Sequence, residues 1–384
     1  MVALPHTLLV TGARAPVALH LTRLLSAAGH RVLLADSLHR PLAGYSRLHD
    51  GCHLIPSPRF APEACAAALK QLIAQEGIGL VIPTCEEIFH LASFWQAGDM
   101  PCPLLAPPFP ALMRAHHKGW FIEDCAAAGL AVPDTTLLTD RAGLERQMPH
   151  ARDLVFKPAW SRFADQVLIR PKAAVVAGLR PSPKTPWIAQ RFVAGEEICV
   201  YALASEGRLT ALSPYRALLR AGQGAAIAFE PLQDPGIEDF VTRYIEATGW
   251  SGQISFDLMR LPDGSVLPLE CNPRATSGLH FFSDGPEFTR ALSGAGPILR
   301  PRSWPPMGSR LAVWLSNLGK FRSTAHLNVT ITDIHHWPGD SLSKLTQLRG
   351  LLPIARQALR LRKSLIAAST HDIEWNGPED QAAL

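Results

Sequence analysis

The chain has 384 residues, of which 47% are hydrophobic and 18% charged. That is long enough for two or three domains with buried cores, and the composition excludes a disordered chain. A formal charge of +4 is too small over this length to make nucleic acid the expected partner.

In chain order, Thr7–Val10 reads as a buried strand, Thr11-Gly12-Ala13-Arg14 as a turn, and the pattern to Ala28 as a helix with Gly29 as its C-cap. The next strand, Arg31–Ala35, ends at Asp36, which makes a βαβ start of a doubly wound sheet. A glycine turn before a helix can cradle a dinucleotide phosphate, with Asp36 on a ribose. Arg14 and Pro16 stand where the GxGxxG fingerprint wants glycine, so this turn alone does not predict NAD. The apolar start has no basic leader and is broken by Gly12 and Pro16, unlike a signal peptide. Residues 63–76 predict a helix, Gly77–Pro83 a buried strand and Glu86–Trp95 another helix. The Pro-rich stretch Pro101–Pro110 reads as a linker.

From Ala111 to Asp134 the pattern is helical. Strands are then expected at Leu154–Lys157, Trp187–Phe192, Glu197–Ala204, Leu209–Ser213, Gln253–Met259 and Val266–Cys271, with a helix at Pro235–Thr248. Turn-joined strands of this kind build an antiparallel sheet. A second Pro-rich break, Gly296–Pro306, precedes a C-terminal segment without assignable elements. Seven scattered cysteines without a CxxC pair argue against disulfides or a zinc site and for a reducing cytoplasmic setting. No uncharged apolar run has the length of a bilayer span, so no membrane partner is expected.

The informative run is Ser255-Phe256-Asp257, a turn at Pro262-Asp263-Gly264, then Glu270-Cys271-Asn272-Pro273-Arg274. An Asp-Gly turn between two strands makes a hairpin. Period-2 alternation puts Glu270 and Asn272 on one face, beside Asp257 on the other arm. Three oxygen donors then converge, and Mg²⁺ takes hard oxygen ligands together with phosphate oxygens. Ordinary surface acids on a solvated hairpin would not explain an acid and an amide alternating within an apolar strand.

With these residues in place the chain resembles the ATP-grasp superfamily, of the carboxylate–amine ligase type. The Glu270-x-Asn272-Pro273-Arg274 string and the upstream Asp257 look like its metal signature. The resemblance covers residues 1 to about 300. It implies a pre-ATP-grasp α/β domain at 1–108, an ATP-grasp domain at 109–300 (lobes 109–190 and 191–300), and a C-terminal extension at 301–384. It also implies ATP and Mg²⁺, with Mn²⁺ as a stand-in, and small-molecule carboxylate and amine substrates. A homodimer is one assembly left open.

By position, Lys118 and Lys157 are similar to the family cations that reach the nucleotide phosphates. Gln190 and Phe192 resemble the hinge whose backbone meets the adenine edge, and Glu197 the acid on the ribose. Arg274 resembles the arginine that stabilises the acyl phosphate. A lysine ending an apolar strand, or an acidic pair on a strand, is equally what a solvated surface looks like, so the order of the matches carries the reading. Ser277-Gly278 would offer backbone amides to an anion. Arg220 would clamp a carboxylate or stand free in a loop. Glu86 or Glu87 would bind an amine or serve the first turn of a helix. One departure stands out: Ala159–Asp165, where the family carries a Gly-rich loop, has no glycine, so Ser161 and Arg162 would have to cover the phosphates. The same departure keeps a non-catalytic nucleotide-binding protein as the alternative. Beyond residue 340, Arg349, Arg356, Arg360, Arg362 and Lys363 suggest a basic amphipathic helix that either meets an anionic surface or packs on the body. His335-His336 has no matching ligand cluster.

Overall fold

The computed structural model describes residues 4–161, 166–220, 226–302, 305–317 and 330–378. The chain opens with four parallel strands, β1 (Thr7–Thr11), β2 (Arg31–Asp36), β3 (Gly51–Leu54) and β4 (Leu80–Ile82), in the order β3-β2-β1-β4. β1, β2 and β4 are almost continuously apolar because helices cover both faces. These are α1 (Pro16–Ala27), α2 (Pro62–Glu76) and α3 (Glu87–Gln96). The strand order reverses between β1 and β4, so Thr11, Gly12 and Thr84 mark the crevice where such sheets present ligands. The Pro-rich stretch is more than a linker: Val81 donates to the Pro103 carbonyl (3.0 Å) and Leu105 to that of Val81 (2.8 Å), so it lies along β4.

The helical run after residue 108 divides into α4 (Phe109–His116) and α5 (Lys118–Ala127). His117 breaks it and caps α5, its Nδ1 accepting from the Trp120 amide at 3.1 Å. Lys118 is thereby fixed at the first helical position. Then follow β5 (Thr135–Leu138), α6 (Arg141–Gln147), β6 (Leu154–Pro158), β7 (Leu168–Ile169), α7 (Ala173–Val176) and β8 (Trp187–Arg191). Their strands form an antiparallel sheet ordered β5-β8-β6-β7.

The largest sheet comprises β9 (Glu196–Ser205), β10 (Arg208–Arg220), β11 (Ala226–Pro231), β12 (Gly252–Arg260), β13 (Val266–Asn272), β14 (Met307–Gly308) and β15 (Thr332–Asp333). Its order is β13-β12-β9-β10-β11-β14-β15. α8 (Pro235–Thr248) is set by Asp234 as N-cap and Gly249 in the left-handed region (φ 62°). Phe240 and Tyr244 of α8 and Phe121 of α5 pack with Val200 and Phe256 in the main core. α9 (Gly285–Leu292) packs on α1.

The segment beyond residue 300 adds β14 and β15 to the large sheet and carries α10 (Arg310–Asn317). It then returns to the first domain through the helices Lys344–Leu361 and Leu365–Thr370. Arg23 to Asp340 (2.9 Å) and Arg14 to Asp372 (2.5 Å) are buried ion pairs that fasten it there. Trp375 ends buried, stacked on Phe89 with ring centroids 5.0 Å apart and edge-on to Trp160 at 5.2 Å.

Candidate active site

The hairpin forms as its sequence requires. Asp263 Oδ1 accepts from the Ser265 amide at 2.9 Å, and Gly264 takes the positive φ (85°) the turn needs. In the ladder Asp257 lies opposite Glu270 and Ser255 opposite Asn272, so all four share a face. Asn272 Nδ2 donates to Asp257 Oδ2 at 3.0 Å. On the other side of β12, Asp257 pairs with Cys199. Ligand atoms of Glu197, Cys199 and Asp257 lie within 4.8 Å of one another. The two facing carboxylates are held unequally. Burial, and then the charge of Glu270, raises the Asp257 pKa; burial also acts on Glu270, but Lys118 and Lys157 overcome it and hold Glu270 low.

Both lysines reach the hairpin from the smaller lobe. Lys118 Nζ stands 3.3 Å from Glu270 Oε2 and donates to the Ser161 carbonyl at 2.5 Å. Lys157, on β6, donates to the Leu269 carbonyl at 3.0 Å. Burial lowers its pKa to about 8, with Lys118 adding to the effect and Glu270 and Asp257 opposing it. Arg274 Nε donates to Glu86 Oε1 at 2.8 Å, and its Nη2 to Asn272 Oδ1 at 3.3 Å. Ser255 Oγ fixes the Arg274 carbonyl at 2.9 Å. The Glu86–Arg274 pair therefore ties the first domain to the β12–β13 hairpin.

The other candidate residues have surroundings of their own. Glu87 is buried under the crevice, its Oε1 accepting from Thr11 Oγ1 (2.8 Å), the Thr84 amide (3.0 Å) and the Cys85 amide (3.2 Å). Glu86, also buried, is thus the acid of the pair that meets Arg274. Glu197 is bound by Arg220 at 2.6 Å, so the two form one ion pair beside Cys199. Ser277 begins a single 3₁₀ turn, Ser277–Phe281. Next to it a Cβ on Gly278 would lie 2.7 Å from that of Tyr201, which leaves room for glycine alone. Asp36, which a dinucleotide reading would have put on a ribose, accepts from the Arg14 amide (2.8 Å) and guanidinium (2.5 Å), and Arg14 also holds Asp372. The dinucleotide corner is filled by the protein's own ion pairs. His335 Nδ1 pairs with Asp333 at 3.0 Å and His336 Nδ1 with Ser341 at 2.7 Å, which absorbs both histidines. Arg162–Asp165 and Gly222-Gln223-Gly224 lie outside the described residues.

In the segment expected to act as a hinge, the backbone amides on either side of Arg191 are engaged on different edges. The Phe192 amide donates to the Asp153 carbonyl at 2.8 Å, continuing the β8–β6 ladder, and is already used. The Arg191 amide points to the opposite edge, to the Asp134 carbonyl at 2.8 Å. Strand alternation aims the carbonyl of Arg191 toward that same edge. Gln190 is buried and its Nε2 donates to Thr135 Oγ1 at 3.0 Å. Gly195 follows because a Cβ there would lie 2.4 Å from the Arg260 carbonyl. Sequence reasoning missed Cys199 and Ser255, although both carry the period-2 signal that located Asp257. A surface hollow of about 350 Å³ beside Leu38, Pro41, Tyr45 and Cys52 holds none of these residues.

A parallel α/β domain followed by two antiparallel lobes clasping a carboxylate–lysine cleft is the ATP-grasp fold. Solved structures bear this out. The N5-carboxyaminoimidazole synthetase of Staphylococcus aureus superposes with a TM-score of 0.64 at 13% identity, over 84% of this chain and 86% of that one. The L-amino acid ligase of Bacillus licheniformis gives 0.59 at 17%, over 76% and 75%. The biotin carboxylase domain of the Hydrogenobacter thermophilus 2-oxoglutarate carboxylase, a dimer in complex with MgADP and bicarbonate, gives 0.62 at 12%, over 79% and 74%. At these identities the likeness is one of fold. No protein-family model matches the chain, and no curated protein matches its sequence.

Proposed function

We propose that this chain is an ADP-forming ligase that activates a small carboxylate as an acyl phosphate for attack by an amine. The observation that carries the proposal is the convergence of Asp257, Glu270 and Asn272 on one face, with Lys118 and Lys157 reaching the same point from the other lobe. Hard oxygen donors beside two cations suit a divalent ion on a triphosphate and little else. MgADP in one protein of the same fold, and the ligase names of others, support it.

In this reading adenine lies between the lobes, its edge read by the Arg191 carbonyl and Val193 amide in place of those of Gln190 and Phe192. Glu197 accepts from the ribose hydroxyls, releasing Arg220 toward the anionic side of the cleft. Lys118 and Lys157 each bring several donors and a full charge to the phosphates. Asp257, Glu270 and Asn272 would hold Mg²⁺, which supplies neutralisation of charge developing in phosphoryl transfer. The substrate carboxylate oxygen attacks the γ-phosphorus and the bond to ADP breaks. The amine nitrogen then attacks the acyl carbon, phosphate departs, and the amine proton leaves with it. Arg274, oriented by Glu86, stabilises the oxyanion, an effect worth roughly 10²–10³ in rate.

The test is ADP release by the purified chain with MgATP and pairs of amino acids or small acids. Mg-dependent release that Glu270→Ala abolishes is expected; no release with any pair sinks the ligase. The second reading, a nucleotide-binding protein without turnover, has two observations in its favour. Residues 159–165 lack glycine, and Trp160, at the start of that segment, is pinned by Trp375 and Gly377. ATP binding with no substrate-stimulated ADP release would favour it.

A further inference from the structure

The helix Lys344–Leu361 packs on the first domain by a narrow face. Gly350 lies against Leu42, and Ile354 and Ala358 cluster with Leu38 and Ala368. Its opposite face is covered by nothing among the described residues, yet it is apolar. Leu345 is 59% exposed, Leu348 42%, Leu352 49% and Leu359 80%. At 3.6 residues per turn these four fall within about 60° of arc, and Arg356, Arg349 and Arg360 fill the next ~40°. Leu365 (53% exposed) continues the apolar surface past Lys363. Residues 341–371 contain six lysines and arginines and no aspartate or glutamate.

We infer that this face docks on an anionic lipid surface. A leucine stripe bordered by an arginine row is how a helix lies in a membrane interface: apolar side chains enter the acyl boundary, while arginines keep their stems in it and carry their heads to phosphate. Among the described residues no helix is long and apolar enough to cross a membrane, so the contact is peripheral. A second copy of the chain fits poorly. A two-fold contact must be self-complementary, and this face offers three arginines with no carboxylate beside them. The inference is independent of the ligase reading, because the helix lends no residue to the cleft.

The experiment is co-sedimentation of the full chain with vesicles of phosphatidylcholine alone and of phosphatidylcholine mixed with phosphatidylglycerol. Binding to the mixed vesicles only, weakened by salt, is expected. Each cation near such a surface is worth roughly a fivefold gain, so Arg349→Gln, Arg356→Gln and Arg360→Gln together should lower partitioning on the order of 100-fold. Leu352→Gln with Leu359→Gln keeps the charge and should also abolish binding. Both variants alter exposed side chains, and unchanged circular dichroism and unfolding midpoint show that they fold. The inference is overturned by no sedimentation with either vesicle, by equal binding to both, or by mixed-vesicle binding that either variant leaves intact. A dimer that the leucine variant dissociates, without vesicle binding, overturns it in favour of a second copy.

Discussion

Truncating Trp375 asks whether the end of the chain belongs to the architecture of the cleft. The side chain is 1% exposed and meets Phe89, Phe109, His116 and Trp160, with ring centroids 5.0–6.1 Å away. Removing a tryptophan from such a site costs about 3–5 kcal/mol. Against that, its Nε1 is buried with no partner among the described residues, and removing an orphaned donor returns about 1–3 kcal/mol. Trp375→Ala should therefore lower stability by about 2 kcal/mol. Trp375→Phe, which deletes the orphan and keeps most of the packing, should stay within ~1 kcal/mol of the wild type. The effect should reach the nucleotide. Trp160 loses its edge-on partner, and the next residue, Ser161, gives the carbonyl that holds Lys118. A roughly tenfold weaker MgATP Kd is expected, about 1.4 kcal/mol. Urea unfolding and calorimetric titration measure the two. Less than about 1 kcal/mol lost by Trp375→Ala, with an unchanged Kd, would refute the reasoning.

Three further outcomes follow from the same contacts. Lys157 is held near pH 8 by burial, so ATP affinity should weaken as pH rises through that value, and Lys157→Met should remove the step. Stability runs the other way: between about 8 and the ordinary 10.5 the unfolded chain binds the extra proton, so folding gains as pH rises across that window. ATP binding that stays flat across the window refutes this. Gly195→Ala puts a Cβ 2.4 Å from the Arg260 carbonyl and should cost about 1–3 kcal/mol, read from the denaturant midpoint; an unchanged midpoint means the β8–β9 junction can give. Asp372→Asn should cost about 1–3 kcal/mol, below the usual range for a broken buried pair because Arg14 keeps Asp36. Burial opposes ionisation of Asp372 but Arg14 holds its pKa low, so this stabilisation is present above the ordinary 3.8 and lost as pH falls below it. The gap between wild type and variant should therefore close in acid, and a gap that persists there contradicts the pairing.

What could be read in the sequence follows the range of the interaction that fixes each feature. The hairpin was legible because an Asp-Gly turn and period-2 alternation are local, and together they put Asp257, Glu270 and Asn272 on one face. Lys118 could be placed at a helix start, although the cap that puts it there is His117, outside the usual N-cap residues. The Glu86–Arg274 pair spans 188 residues and the Arg14–Asp372 pair 358, and no local pattern announces either. The short strands β3 and β5 escaped for a related reason: both are half-exposed edge strands with little apolar signal.

The hinge shows the same limit at the scale of one residue. Trp187–Phe192 was recognisable as a strand, but which of its amides stay available depends on where its neighbours stop. β6 is continued by the Asp153 carbonyl, which takes the Phe192 amide, while on the other edge Asp134 takes that of Arg191. In the proposed adenine contact the open positions are the Arg191 carbonyl and the Val193 amide. Because the phase is backbone and not side chain, replacing Phe192 or Val193 by another residue with a free amide should leave adenine binding largely intact. Val193→Pro removes the donor itself. It should weaken ATP binding while Phe192→Ala leaves it within a few-fold. ATP binding that Val193→Pro leaves unchanged would refute this register.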